Sequence, residues 1–281
     1  MTEIVELKKV CSQVRRDIVR MVHGCQSGHP GGSLGCVEFL VSLYFNIMKH
    51  NNKFNMDGEQ EDLFFLSNGH ISPVFYSVLA RSGYFPIDEL KTFRQIDSRL
   101  QGHPTTHEKL PGVRVASGSL GQGLSVAIGS AITKTLNSDI HTVYCLCGDG
   151  ELQEGQIWEA IMYAGSKKVN NLILAVDVNR QQICGSTEDI LSLGDLTTKF
   201  TAFGWKVLEV TNGNNIESVL NALNTTQKLK SNGQPVCILL NTEMGYGVDY
   251  MMGSHKWHGI APNDEQLQKA LDQLEETLGD Y

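Results

Sequence analysis

The stretch that most constrains the fold lies between residues 142 and 179. Residues 142–150 read TVYCLCGDG, a helix-like run covers 154–164, and a second apolar run at 172–178 ends at Asn179. Two apolar runs of strand length joined through an amphipathic helix form a βαβ unit, because parallel neighbours need a crossover. Strands this uniformly apolar belong inside a sheet covered on both sides. The same alternation extends along the chain. Helical periodicity marks 3–23, 34–47, 122–136, 214–230 and 264–278, and strand-like runs occupy 63–66, 142–147, 172–178, 206–210 and 236–240. The expected fold is α/β, a doubly wound, mostly parallel sheet with helices on both faces. At 281 residues the chain is near the size at which one core stops growing, and 1–281 is expected to form a single domain.

Composition narrows the function. Hydrophobic residues make up 41% and charged residues 19%, which supplies ample apolar surface for a core. A net charge of −8 and the lack of a Lys/Arg-rich block argue against a nucleic-acid surface. No apolar run approaches the ~20 residues needed to cross a membrane, and the charged amphipathic N-terminus lacks a signal peptide's apolar centre. A cytoplasmic location is expected. Seven cysteines (Cys11, Cys25, Cys36, Cys145, Cys147, Cys184, Cys237) form no CxxC pair and are expected to be reduced thiols. Cys145 and Cys147 alternate on one strand, so they share a face and read as core residues.

The unusual residues gather where strands end, which is where open α/β sheets bind ligands. Asp149 supplies an anionic oxygen and Asn179, at the neighbouring strand end, a neutral one. That pair suits Mg²⁺ or Ca²⁺, with a backbone carbonyl, water and diphosphate oxygens completing the shell. Gly148 and Gly150 leave the backbone approachable. A tight turn and a strand-end cap are the plainer reading of GDG standing alone.

Histidine is the second signal. Five of nine histidines adjoin glycine: His23, and four in GHPGG (28–32), GH (69–70), GHP (102–104) and HG (258–259). Rings on glycine loops are poorly placed for packing and well suited to proton transfer near neutral pH. The pairs His103/His107 and His255/His258 have ligand-like spacing but no nearby cysteines, which disfavours zinc. His23, His50 and His141 have no motif around them and are expected at surface or satisfied structural positions. The loop GSLGQG (118–123) opens the helix at 122–136, either to meet a ligand or to let small residues pack closely.

Taken together, SGHPGGSLG (27–35), SNGH (67–70), QGHP (101–104), GSLGQG (118–123), GDGELQEGQIWEA (148–160), Asn179 and SHKWHG (254–259) resemble transketolase, in the family's order, over residues 10–262. The resemblance covers the family's N-terminal region and implies a thiamine-diphosphate PP-type domain in an enzyme that moves a two-carbon ketol unit from a ketose or its phosphate to an aldose or its phosphate. By position it implies that Asp149, Asn179 and the backbone carbonyl of Gln181 hold the metal. His70 and Gly150 would meet the diphosphate, and Gly118, Ser119 and Leu120 the aminopyrimidine side. His29 and His258 would handle protons at the substrate C3 hydroxyl or the acceptor carbonyl, His258 also touching the cofactor, while His103 would bond the C1 hydroxyl. Glu154 resembles the family's glutamate at the subunit contact.

The family's cofactor-activating glutamate and its sugar-phosphate arginines lie in later domains. The resemblance therefore implies a split enzyme whose C-terminal transketolase subunit is a second chain, in an α₂β₂ assembly. Two departures bear on the substrate: Cys184 stands where relatives carry aspartate, and Arg180-Gln181-Gln182 replaces a more apolar stretch. Ser119, in place of proline, resembles the split forms. The alternatives are a split enzyme specialised for an unusual ketose and a non-catalytic cofactor-binding subunit. Deoxyxylulose-phosphate synthase lacks SGHPGGSLG and SHKWHG in this form, and 2-oxoacid dehydrogenase α chains lack the paired histidine motifs.

Overall fold

The computed structural model describes residues 2–229 and 232–281. Helix α1 (Ile4–Gly24) leads through α2 (Pro30–Gly35) and α3 (Val37–Ser42) to β1 (Leu63–Leu66) and α4 (Ser72–Arg81). After a long loop come α5 (Gly123–Leu136), β2 (Val143–Gly148), α6 (Gly155–Ser166) and β3 (Leu172–Val178). A small hairpin of β4 (Gln181–Gln182) and β5 (Gly185–Ser186) precedes α7 (Thr187–Leu191) and α8 (Leu196–Ala202). Then follow β6 (Lys206–Val210), α9 (Ile216–Leu229), β7 (Val236–Asn241) and α10 (Asp264–Gln273).

The main sheet has five strands in the order β1-β2-β3-β7-β6, and every pairing is parallel. All carboxyl ends therefore lie along one edge of the sheet. Because side chains alternate along a strand, the sheet builds two cores. Phe64, Leu66, Tyr144, Leu146, Ile173 and Ala175 pack with α1, α3, α4 and α9. On the other face Cys145, Cys147, Leu174 and Val176 pack with α5, α6 and α8. The doubly wound expectation holds, and Cys145 and Cys147 are core residues as expected.

Two expected helices change. The single helix at 34–47 is broken into α2 and α3 at Cys36, and its last turn, Leu43–Ile47, is wound as a π-helix. Gly35, the last residue before the break, lies against another backbone segment: a Cβ there would be 3.1 Å from the Glu243 carbonyl oxygen. The helix expected at 264–278 stops at Gln273, because Leu274 turns extended and the tail folds back on α1. There the Thr277 and Leu278 amides both donate to Gln13 Oε1, and Asp280 pairs with Arg16 at 2.7 Å. The expected helix at 214–230 is α9, with residue 230 outside the described residues. Sequence periodicity also missed α4, whose residues are almost all buried, so it carries no polar stripe.

Candidate active site

Each predicted site residue sits on a segment leaving the carboxyl edge of the sheet or on a loop laid across it. Gly148 pairs with Asp177 in the β2–β3 register, and the Asp149 amide donates to the Asp177 carbonyl at 3.0 Å. The turn after β2 thereby sets Asp149 against the end of β3. Asp149 Oδ2 accepts from the Arg180 amide at 2.6 Å and Oδ1 from the Gly150 amide at 2.8 Å. Asn179 donates through Nδ2 to Asp177 Oδ2 at 2.8 Å, and its Oδ1 accepts from the Gln181 amide at 2.8 Å. Burial first, and then the neighbouring Asp177, pushes the Asp149 carboxyl up to about 7. Asp177 is itself fully buried, with Thr242 donating to it.

Two buried carboxyls side by side with no cationic side chain paired to them suit a divalent cation. Among the described residues no cluster of three His, Cys, Asp or Glu has metal-binding geometry. Beside Asp149, a metal here would have to draw on the amide oxygen of Asn179, a backbone carbonyl such as that of Gln181, and oxygens of its ligand. That hard-oxygen set fits a metal diphosphate. Neither Gly148 nor Gly150 is forced by protein packing, since an added Cβ would first meet atoms at 3.8 and 3.4 Å. The open space beside them belongs to the cavity. A diphosphate contact from Gly150 requires its amide to leave the Asp149 carboxylate.

The cavity, ≈ 370 Å³, takes in both this cluster and the histidines. His29, His70, His103 and His258 come from four separate loops and converge. Ring centroids lie 5.2 Å apart for His29–His70, 5.5 Å for His29–His258, 5.0 Å for His70–His258 and 6.0 Å for His29–His103. Glycines make the convergence possible: a Cβ on Gly69 would lie 2.2 Å from the Ser117 carbonyl oxygen, so only glycine lets the 117–120 loop lie over the end of β1. All four rings are driven toward the neutral state. Burial is the main cause in each case, and it takes His29 down to about 4 with help from His258, Arg94 and His103. Neutral imidazoles both accept and donate protons at pH 7. Two buried polar atoms on the cavity wall, His29 Nδ1 and Asn68 Oδ1, have no partner in the protein.

Gly118, Leu120, Glu154 and Gln181 also line the cavity, whereas Ser119 is exposed and does not. Glu154 is exposed at the start of α6. His23, His50 and His141 are structural, bonding Asp264, the Tyr44 carbonyl and Asp139.

Sequence reasoning missed Glu151. Its buried carboxylate accepts from Ser67 Oγ at 2.5 Å and the Gly121 amide at 2.8 Å through Oε1, and from the Gly148 amide at 3.1 Å through Oε2. One side chain thus ties together three loops that form the cavity. The only signal was an acidic residue directly after GDG. Gly123 was also read too openly: a Cβ there would lie 2.7 Å from Ser67 Cα, so close packing explains that glycine.

A parallel α/β sheet whose carboxyl edge carries a buried carboxyl and a half-buried amide beside a ring of neutral histidines is suited to a diphosphate cofactor. The family described as transketolase, thiamine diphosphate binding domain, matches residues 7–277. The chain belongs to that family. It is 39% identical to an apulose-4-phosphate transketolase subunit of Actinobacillus succinogenes, over 96% of each chain. It is 36% identical to 6-deoxy-6-sulfo-D-fructose transketolase subunit SqwG of Clostridium sp., over 96% of this chain and 97% of that one. Among solved structures, Leishmania mexicana transketolase superposes with a TM-score of 0.90 at 33% identity, and the Campylobacter jejuni enzyme with 0.89 at 36%. Each solved chain is much longer, and this chain spans 43% of it.

Proposed function

We propose that this chain is the cofactor-binding subunit of a two-chain transketolase that transfers a two-carbon ketol unit from a ketose to an aldose. The observation that carries the proposal is the meeting of four neutral histidines with the Asp149–Asn179 cluster in one cavity. Thiamine diphosphate, when bound, supplies the nucleophilic thiazolium carbon that adds to the ketose carbonyl. Asp149, Asn179 and the Gln181 carbonyl are proposed to hold Mg²⁺ or Ca²⁺, and His70 and the Gly150 amide the diphosphate. Gly118 and Leu120 would border the cofactor's rings.

His29 and His258, 5.5 Å apart, are assigned to the substrate. A neutral ring at either position can take the proton of a C3 hydroxyl as the C2–C3 bond breaks and return it to the acceptor's carbonyl oxygen. His103 would hold the C1 hydroxyl. Alanine at His258 or His29 is expected to lower turnover by roughly 100-fold or more while cofactor affinity changes little. Turnover that survived both substitutions would favour a non-catalytic cofactor-binding subunit instead.

Both relatives named above are covered almost end to end by this chain and are named as subunits, which supports a partner chain. The proposed assembly is α₂β₂ with a C-terminal transketolase subunit, this chain forming a single cofactor domain across 1–281. The relatives' names also direct attention to ketoses outside the common sugar phosphates. The described cysteines are all free, which fits the proposed cytoplasmic location. Co-expression with the adjacently encoded chain, followed by assay over a ketose panel with thiamine diphosphate and Mg²⁺, tests the assignment. Ketol transfer by this chain alone at the rate of the assembled pair would defeat the two-chain proposal.

A further inference from the structure

Arg94 lies behind the cavity wall, between the loops that carry His29 and His103. Its Nη1 donates to Ser27 Oγ at 2.9 Å, two residues before His29, and its Nη2 approaches the Gly102 carbonyl at 3.5 Å, one residue before His103. A Cβ on Gly102 would lie 2.6 Å from the centre of the guanidinium, so a larger residue there would displace the Arg94 side chain. The Arg94 backbone is held in a left-handed conformation, φ 57°, by its amide's bond to the Leu100 carbonyl, and the guanidinium lies 5.5 Å above the Phe93 ring. Its Nε is buried without a partner. Among the described residues no carboxylate lies within ion-pair distance of it.

We propose that Arg94 is a positioning residue: its fork sets the spacing of the His29 and His103 loops, and its unneutralised charge acts on both rings as a fixed neighbouring cation. A half-buried guanidinium without a carboxylate is costly unless its charge serves the site. The groups around the two rings are consistent with that use. His29 faces His70, His103, His258 and Arg94, and His103 faces His29 and Arg94, with no acid among them to favour an imidazolium. Arg94 contributes to the lowering of His29 and His103 but not of His258. This inference rests on the roles assigned to His29, as a proton carrier, and to His103, at the C1 hydroxyl.

The test pairs histidine NMR titration of the full chain, which needs no activity, with kcat/KM against pH for the assembled enzyme. Arg94→Gln is expected to raise the titration midpoints of His29 and His103 by about one pH unit, leave His258 in place, and move the acid limb of kcat/KM up with them. Arg94→Lys should keep the midpoints yet lower kcat about tenfold or more, because a point charge cannot bridge both loops. Ser27→Ala should likewise lower kcat without moving the midpoints. Unmoved midpoints in folded Arg94→Gln overturn the electrostatic part. Should Arg94→Gln not fold, wild-type kcat in both Arg94→Lys and Ser27→Ala overturns the positioning part. An assembled wild-type enzyme without ketol transfer defeats the functional reading instead, while the titration still judges Arg94.

Discussion

At the scale of single residues, the site works by withholding charge from groups that normally carry it. Asp149 is pushed up to about 7 by burial and by Asp177, so near neutrality it binds a proton in competition with a cation. Its carboxyl must lose that proton to ligate a metal. Mg²⁺ affinity is therefore expected to weaken as pH falls below about 7 and to level off above it; isothermal titration at pH 6, 7 and 8 would show this. An affinity flat across that range would mean that Asp149 does not ligate the metal. Asp149 and Asn179 were legible in the sequence because two strand ends carried hard oxygen donors. The neutrality of the histidines was not, since burial in a shared cavity is set by four loops far apart in the chain.

At the scale of elements, glycine and one buried carboxylate decide how the loops meet. Gly69 admits the 117–120 loop, Gly31 admits the 257 carbonyl, and Glu151 clamps Ser67, Gly121 and Gly148. Removing that clamp leaves buried amides without acceptors, at about 1–3 kcal/mol each. Glu151→Ala is expected to lower the unfolding midpoint and to weaken thiamine diphosphate binding, measurable by thermal melts with and without cofactor. A melt still shifted fully by cofactor would show that the clamp serves stability alone. The elements themselves were mostly readable: the five strands of the main sheet and the helices α1, α5, α6 and α9 follow from apolar periodicity, while the β4–β5 hairpin does not. Where periodicity misled, at 34–47 and 264–278, tertiary contacts overrode it. Gly35 packs against the Glu243 backbone, and the C-terminal tail exchanges helical hydrogen bonds for Gln13 and Arg16.

At the scale of the whole molecule, apolar side chains on α5 and α6 remain exposed, among them Val126, Met162 and Tyr163. Glu154, which lines the cavity, opens the same α6. Exposed apolar groups on two adjoining helices are a common mark of an interface. Addition of the partner chain is expected to protect α5 and α6 amides in hydrogen exchange, and unchanged exchange there would place the contact elsewhere. What the sequence by itself determined was the doubly wound sheet and its reactive edge, because strand periodicity and strand-end residues are local properties of the chain. It also carried the transketolase likeness, through motifs that recur in one order. Only the tertiary structure decided how closely the four histidines sit in their cavity, that they are uncharged there, and that Arg94 and Glu151 bond to the loops around it. Distance and desolvation arise between segments far apart in the chain, and no local pattern records them.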